Sequence, residues 1–194
     1  MKKKILIIGG GISGIYLGYR LKKEGFSIKI LEGSPRIGGR IYTKNIYNTK
    51  VELGATWLWN YNPKLIQLCK KLEISLFEQN MQGDALFEVS SDNLPQRFQV
   101  PKNQEISYRI AGGTSAILDK LSVDFSDEEL ELNQKVVAVN AEKTAISAVT
   151  ITSEFIADIV VSTIPPQLLL NTVQFNPRLP QNIVQIANNT HTWI

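Results

Sequence analysis

The sequence contains only one cysteine, Cys69, and one histidine, His191, among its 194 residues. A single cysteine cannot form an internal disulfide, and one cysteine with one histidine cannot form a zinc cluster. His191 lies close to the end of the sequence and is a poor candidate for a Ser-His-Asp triad. These absences exclude a disulfide scaffold and disfavour metal or triad chemistry, and they leave a cofactor-dependent fold open.

The sequence also lacks a strong charge bias and a long apolar run. Lysine and arginine exceed aspartate and glutamate by 21 to 18, and the densest basic run, residues 2–4, is interpreted as a solvated leader before a buried strand. No apolar stretch approaches the ~18 residues that span a bilayer, and the run at residues 5–8 is too short for a signal peptide. We therefore expect a cytoplasmic protein with no nucleic-acid or membrane partner.

The first 31 residues have the pattern of a β-α-β unit. Residues 5–8 are wholly apolar, which is typical of a parallel strand buried on both faces. Glycines interrupt the run at residues 9–14, and residues 15–23 are typical of a helix packed on a sheet. Gly25 follows as a helix C-cap, and Ser27–Leu31 alternates as a second strand. This order predicts an α/β fold with a parallel sheet.

Later elements are shorter. The sequence predicts a helix over residues 63–72, with Cys69 on its apolar side, and an irregular strand-and-loop excursion over residues 79–104. A second helix is predicted over residues 115–122. Further strands are predicted at residues 130–132, 136–139, 146–151, 155–156 and 159–161, the last stopped by Pro165 and Pro166.

Gly9, Gly11 and Gly14 form a G-x-G-x-x-G motif between the first strand and the helix. The first glycine allows the tight turn, the second lets the backbone approach a pyrophosphate, and the third lets helix and strand pack closely. The helix N-terminus then directs unpaired N–H groups at the phosphates. Because strand, helix and second strand all occur in the required order, this context favours a dinucleotide site.

Two further features follow the second strand. Glu32 lies 18 residues beyond Gly14, where a carboxylate can accept hydrogen bonds from ribose hydroxyls and disfavours a 2′-phosphate; the alternative is a solvated strand-end glutamate. The loop that follows, residues 33–40, contains a glycine pair, and its Arg36 and Arg40 can bind phosphate oxygens. A second phosphate loop favours FAD over a nicotinamide cofactor, and the alternative is a basic turn.

The segments IIGGGISGIYLGYRL, ILEGSPRIGGR and ELGATWLW resemble the flavin-containing amine oxidases, that is, the monoamine and polyamine oxidases and their bacterial relatives. IAGGTSAILDKL and IVVSTIPPQLL are further matches, so the resemblance covers nearly the whole chain. RIGGR is specific for the broad FAD fold, and GATW narrows the resemblance toward amine oxidases. The implied fold is a Rossmann-like FAD-binding domain with an incomplete α+β substrate domain.

The resemblance implies a role for each matching position but assigns no catalytic side chain and no metal ligand. The alternative interpretation of Trp57 and Trp59 is that they are core residues. The implied contacts are Gly9, Gly11, Ser13 and Gly14 with the pyrophosphate, Glu32 with the ribose, Gly38, Gly39 and Arg40 with phosphate and ribityl, Gly54, Ala55, Thr56 and Trp57 with the flavin ring, and Val136, through its backbone, with adenine.

The resemblance also implies how the chain is divided. We expect an FAD-binding domain made of residues 1–75 and 107–166, interrupted by a substrate-domain or lid excursion over residues 76–106. Residues 167–194 would begin a substrate domain. Family members are more than twice as long, so we expect a truncated or split form that a complementary C-terminal polypeptide could complete.

The implied activity is FAD-dependent oxidation of a small-molecule amine. Hydride passes from the carbon next to the nitrogen to the flavin, the imine hydrolyses, and oxygen reoxidises the flavin with release of hydrogen peroxide. Two alternatives stay open at this point. One is a non-catalytic FAD-binding remnant or interaction module, and the other is an NAD-dependent Rossmann reductase.

Overall fold

A computed structural model describes residues 2–92, 94–100 and 105–190. His191 therefore lies outside the described residues. The chain forms two compact units, the first made of residues 1–42 and 118–194 and the second of residues 43–117. In chain order the elements are β1 (Lys4–Ile8), α1 (Ile12–Lys23), β2 (Ser27–Leu31), β3 (Thr43–Ile46), β4 (Thr49–Glu52), β5 (Leu58–Trp59), α2 (Pro63–Lys71), β6 (Leu76–Glu78), β7 (Asp84–Phe87), β8 (Gln96–Gln99), β9 (Ser107–Ile110), α3 (Ser115–Ser122), β10 (Leu130–Glu131), β11 (Val136–Ala141), β12 (Ile146–Thr150), β13 (Glu154–Ala157), β14 (Ile159–Ser162), α4 (Pro166–Thr172), β15 (Gln174–Asn176) and α5 (Gln181–Asn188).

The first unit is built on a parallel sheet with the strand order β10-β2-β1-β14. Its central strands are apolar because both faces are covered, and Leu6, Ile7 and Ile30 are fully buried. Helix α1 packs closely on one face: a Cβ added at Gly18 would lie 2.7 Å from Cδ1 of Ile30. This close approach confirms the Rossmann-like α/β class expected from the sequence.

The opposite face of that sheet packs on a second sheet with the order β13-β12-β11-β15. Its β11-β12 and β12-β13 pairs are antiparallel, whereas β15 runs parallel to β11. The first unit is thus a helix layer, a parallel sheet and a mostly antiparallel sheet. The apolar cluster that joins the two sheets comprises Leu6, Ile8, Leu31, Val136, Val139, Ala148, Ala157 and Val173.

The second unit contains the three-stranded sheet β5-β9-β6, the hairpins β3-β4 and β7-β8, and helix α2. Cys69 of α2 is fully buried, as its place on the apolar side predicted. Burial also raises the pKa of this thiol, because the charged thiolate is disfavoured away from water. Cys69 is therefore a core residue of the second unit.

The start of α1 differs from the sequence prediction by three residues, and several other element ends differ by one or two. Helix α1 begins at Ile12, three residues before the predicted start, because the helix starts directly after Gly11 and incorporates Gly14. Strand β14 ends before the proline pair as predicted, but Pro166 then opens α4 at its first position. Proline fits there because the first turn needs no backbone N–H donor. The expected functional segments 1–75, 76–106, 107–166 and 167–194 stay a prediction.

Within the described ranges 2–92, 94–100 and 105–190, no helix has both the length and the apolar content needed to cross a membrane.

An ion pair in the first unit generates a pH-dependent prediction. Glu129 Oε2 lies 2.5 Å from Lys22 Nζ and accepts a hydrogen bond from the Ser126 N–H at 2.9 Å. Partial burial raises the pKa of Glu129, but the bonds from Lys22 and Ser126 outweigh burial and lower it. A lowered carboxylate pKa stabilises the fold above the unfolded-state pKa, and this contribution is lost as pH falls through the folded-state pKa.

We therefore expect Glu129→Gln to lower the melting temperature by about 2 °C at neutral pH. The difference from wild type should vanish well below the ordinary glutamate pKa of about 4.3. Thermal denaturation at several pH values measures both. Glu128→Gln, an exposed neighbour, is the control, and an unchanged melting temperature for Glu129→Gln at neutral pH would contradict the prediction.

Candidate functional site

Two glycines in the turn between β1 and α1 are required by the packing of the chain against itself. Gly9 has a φ of +107°, and a Cβ there would lie 2.8 Å from Cγ2 of Ile164. A Cβ on Gly14 would lie only 1.9 Å from the Gly9 carbonyl oxygen. Neither position can hold a larger residue without moving the backbone, so these glycines let strand and helix meet.

Packing within the chain does not require glycine at position 11. It is the N-cap of α1 with φ −71° and ψ 175°, a conformation open to any residue, and an added Cβ would meet only the Gly38 carbonyl oxygen, at 4.0 Å. In the described structure no side chain caps the helix, and its first turn has no acidic residue. The first turn of α1, which contains the exposed Ser13, thus has neither a side-chain cap from the described residues nor an acidic residue, and such a helix start is favourable for an anion.

Glu32 follows β2 directly, and its carboxylate is held in one orientation. Oε2 accepts a hydrogen bond from the Gly10 N–H at 2.6 Å, and Oε1 accepts from the Ser34 N–H at 2.9 Å and the Ser34 hydroxyl at 2.7 Å. The sequence reasoning missed Ser34. A serine two residues after an acidic strand end is a turn signal that could have indicated it.

The second glycine loop packs directly on the first. The Gly38 N–H donates to the Gly10 carbonyl at 2.8 Å, and Gly11 and Gly38 form a parallel β-bridge. Gly38 has a φ of +107°, and a Cβ there would lie 2.7 Å from the Ile41 carbonyl oxygen. A Cβ on Gly39 would lie 3.6 Å from Cα of Gly11. The structure therefore brings the two loops together.

The two arginines of this loop differ in role. Arg36 donates to the carbonyls of Ile37 and Ile41 at 3.1 Å and of Gly39 at 2.9 Å, and its guanidinium lies 4.4 Å from the ring centre of Tyr42. Three of its five N–H donors are thus engaged within the loop, and phosphate binding by Arg36 stays a prediction. Arg40 is exposed and has no bonding partner in the described part of the chain.

Two segments distant in sequence contact these loops through Gln134 and Thr163, and a contact of Val136 with adenine stays a prediction. Val136 begins β11 and is buried, and the preceding Gln134 donates its N–H to the Glu32 carbonyl at 2.8 Å. Thr163, just after β14, donates to the carbonyl of Ile8 at 3.1 Å or of Gly9 at 3.2 Å. The sequence reasoning did not select Thr163, although a polar residue ending an apolar strand is a usable signal for a sheet-edge contact.

Gly54, Ala55, Thr56 and Trp57 belong to the second unit, where they connect β4 to β5. The Thr56 hydroxyl donates to the Gly54 carbonyl at 2.9 Å, and Trp57 is 56% exposed. Trp57 is therefore not a core residue. Trp59 is half-buried and stacks on Tyr61, with ring centres 5.6 Å apart. The contact of residues 54–57 with a flavin ring stays a prediction.

The arrangement in the first unit can bind a dinucleotide with an unphosphorylated ribose. It offers helix N–H groups and a free arginine for phosphates, and an oriented carboxylate for hydroxyl groups. No group of three or more metal-ligating side chains occurs among residues 2–92, 94–100 and 105–190. The site is suited to holding a nucleotide cofactor.

The glycine contacts predict opposite outcomes for two alanine substitutions. Gly14→Ala should lower the free energy of unfolding by about 3 kcal/mol, because its Cβ collides with backbone. Gly11→Ala should change it by less than about 1 kcal/mol, since the Cβ enters open space. Urea denaturation of both variants measures the difference, and equal losses would show that the packing argument fails.

The comparisons with known proteins agree with this geometry. Residues 7–72 match the family described as "NAD(P)-binding Rossmann-like domain", and residues 81–192 match "Flavin containing amine oxidoreductase".

Among curated relatives, the probable flavin-containing monoamine oxidase A of Dictyostelium discoideum is 26% identical over 127 residues, covering 64% of this chain and 28% of the relative. Polyamine oxidase 2 of Arabidopsis thaliana is 27% identical over 154 residues, covering 72% and 30%. The chain thus spans less than a third of the length of these relatives.

Solved structures show the same fold at low identity. Wild-type putrescine oxidase bound to putrescine superposes with a TM-score of 0.81 at 16% identity, covering 97% of this chain and 63% of that one. Cyclohexylamine oxidase from Brevibacterium oxydans gives 0.81 at 14% identity with the same coverage. Because the amine oxidoreductase match covers more than half of the residues, the chain belongs to the flavin containing amine oxidoreductase family.

Proposed function

We propose that this chain binds FAD and serves the oxidation of a small-molecule amine. The observation that carries the proposal is the direct contact of the two glycine loops, Gly38 N–H to Gly10 carbonyl, beside the open uncapped start of α1. A cofactor with an extended pyrophosphate fits this arrangement, because both loops and Arg40 can reach phosphate oxygens. The Glu32 carboxylate suits a ribose with free hydroxyls.

The proposal gives each predicted position a part in holding the cofactor. Open space at Gly11 supports close approach of a phosphate, and the exposed Arg40 supports a charge-assisted contact. The proposed contacts are Gly9, Gly11, Ser13 and Gly14 with the pyrophosphate, Glu32 with the adenosine ribose, Gly38, Gly39 and Arg40 with phosphate and ribityl, Val136 with adenine, and Gly54, Ala55, Thr56 and Trp57 with the flavin ring.

The bound flavin would supply the acceptor for a hydride from the carbon next to the amine nitrogen, with oxygen as the final acceptor and hydrogen peroxide as product. The residues of this chain bind and orient. Relatives named monoamine, polyamine and putrescine oxidases support an amine as substrate. A non-catalytic FAD-binding remnant is the alternative, and a lack of peroxide with every amine tested would favour it.

A nicotinamide dinucleotide is the second candidate ligand, because residues 7–72 match a family described as NAD(P)-binding. The same Glu32 carboxylate and helix N-terminus would suit NADH. The second glycine loop distinguishes the two, because a nicotinamide dinucleotide has no need of it.

FAD titration of the purified chain tests the proposal. Wild type should bind FAD with quenching of flavin fluorescence and should bind it more tightly than NADH. Gly11→Ala should weaken FAD binding at least about tenfold, because its Cβ occupies the phosphate space, and Arg40→Ala should weaken it by about tenfold through a lost charge-assisted contact.

The control is Arg20→Ala, which removes the same charge from the last turn of α1 and should leave FAD affinity unchanged. Tighter binding of NADH than FAD would favour the nicotinamide reductase. A chain that binds neither would overturn the proposal.

Two further parts of the proposal concern the cellular setting. We propose a complementary C-terminal polypeptide as partner, tested by adding such a polypeptide to the FAD-bound chain and measuring peroxide from an amine. We also propose a cytoplasmic location, supported by the buried Cys69, which has no second cysteine to pair with.

A further inference from the structure

We propose that Glu52 is a positioning residue that orients the loop of residues 53–57 toward the flavin ring. This inference rests on the proposed function. Glu52 ends β4, two residues before Gly54, and neither the glycine motifs nor the family resemblance implies a role for it. Its carboxylate forms the centre of a hydrogen-bond network within the second unit.

Three donor contacts converge on this carboxylate. The Thr43 hydroxyl lies 3.1 Å from Oε1 and 2.9 Å from Oε2, and the Thr114 N–H donates to Oε1 at 2.7 Å. Thr43 and Ser115 are also bonded to each other twice, each N–H donating to the other's hydroxyl oxygen at 3.0 Å. The network therefore joins the β3-β4 hairpin to the turn that precedes α3.

Gly113 packs closely against the Glu52 carboxylate and the Thr43 side chain. Gly113 has a φ of +88°, and a Cβ there would lie 2.3 Å from Cγ2 of Thr43 and 2.9 Å from Oε1 of Glu52. Any other residue would displace the two side chains. The negative charge also lies at the start of α3, where the partial positive charge of the helix N-terminus is favourable to it.

The hairpin has little else to hold it. No residue of β3 or β4 is buried, so apolar packing contributes little to its position. Hydrogen bonds to an ionised group are worth more than neutral ones. The Glu52 network is therefore the main anchor of the hairpin within the second unit.

The loop itself has few contacts of its own. Leu53, Gly54, Ala55 and Trp57 are exposed, and in the described part of the chain the one hydrogen bond of residues 53–57 is internal, from Thr56 to Gly54. Its position is thus determined by its two ends. One end is the buried Leu58 of β5, and the other is Glu52.

Four variants test this inference. Glu52→Ala removes the three contacts of the carboxylate and leaves the Thr43–Ser115 pair, and Glu52→Gln keeps an acceptor for the Thr114 N–H and should rescue it. Thr43→Val keeps the Thr114 contact and removes the hydroxyl that bonds to Glu52 and accepts from the Ser115 N–H. Thr114→Val is the matched control, because this side chain is 7% exposed and its hydroxyl has no partner in the described structure, so valine should fit without loss.

The measurements are ADP affinity, FAD affinity and the absorption band of bound FAD. ADP carries only the part of the cofactor that we assign to the first unit, so its affinity should be unchanged in every variant. Glu52→Ala should lose about tenfold in FAD affinity, and its flavin band should move toward that of free FAD. Glu52→Gln and Thr114→Val should resemble wild type, and Thr43→Val should shift the band partway.

The outcomes separate this inference from the proposed function. A wild-type chain that does not bind FAD overturns both. A wild-type chain that binds FAD, with the same band and affinity in Glu52→Ala, overturns only the role of Glu52. If circular dichroism shows that Glu52→Ala does not fold, the flavin absorption band of Thr43→Val tests the inference instead. An unshifted band in that variant overturns the role of Glu52.

Discussion

The site of the first unit depends on one backbone contact between its two glycine loops. The Gly38 N–H reaches the Gly10 carbonyl at 2.8 Å, and the two loops continue as a short parallel bridge between Gly11 and Gly38. Gly38 has a φ of +107°, and a Cβ there would lie 2.7 Å from the Ile41 carbonyl oxygen, so this loop conformation requires glycine. The glycines therefore serve different purposes: Gly9 and Gly14 let β1 and α1 meet, Gly38 allows the conformation of the second loop, and Gly11 leaves space beside the contact.

Much of this arrangement could be predicted because it follows from local pattern. The apolar run of β1, the glycine spacing and the limits of β2 follow from periodicity and from backbone conformations that only glycine adopts freely. The roles of Arg36, Ser34 and Thr163 could not be predicted in the same way. Each depends on which carbonyl or carboxylate the folded chain turns toward it, and one-dimensional spacing does not contain that information. The guanidinium of Arg36 donates three hydrogen bonds to carbonyls of its own loop, which its place in the sequence does not indicate.

The two units differ in what stabilises them near their proposed cofactor residues. The loops of the first unit lie at the edge of an apolar core shared by two sheets. The β3-β4 hairpin of the second unit has no buried residue, and polar contacts at Glu52 take the place of packing. The position of the hairpin therefore depends on a few hydrogen bonds to one carboxylate rather than on many apolar contacts.

Thr163 has a consequence for how the protein is made. The hydroxyl of Thr163 bonds to the Ile8 carbonyl across 155 positions of sequence, and β14 pairs directly with β1. Strand β1 and its turn gain this neighbour only after residue 163 has left the ribosome. Contacts so distant along the chain form slowly, and domains fold as units during synthesis. The turn after β1 thus stays without this contact, and β1 without β14, until the 155 residues that follow Ile8, up to Thr163, have been added.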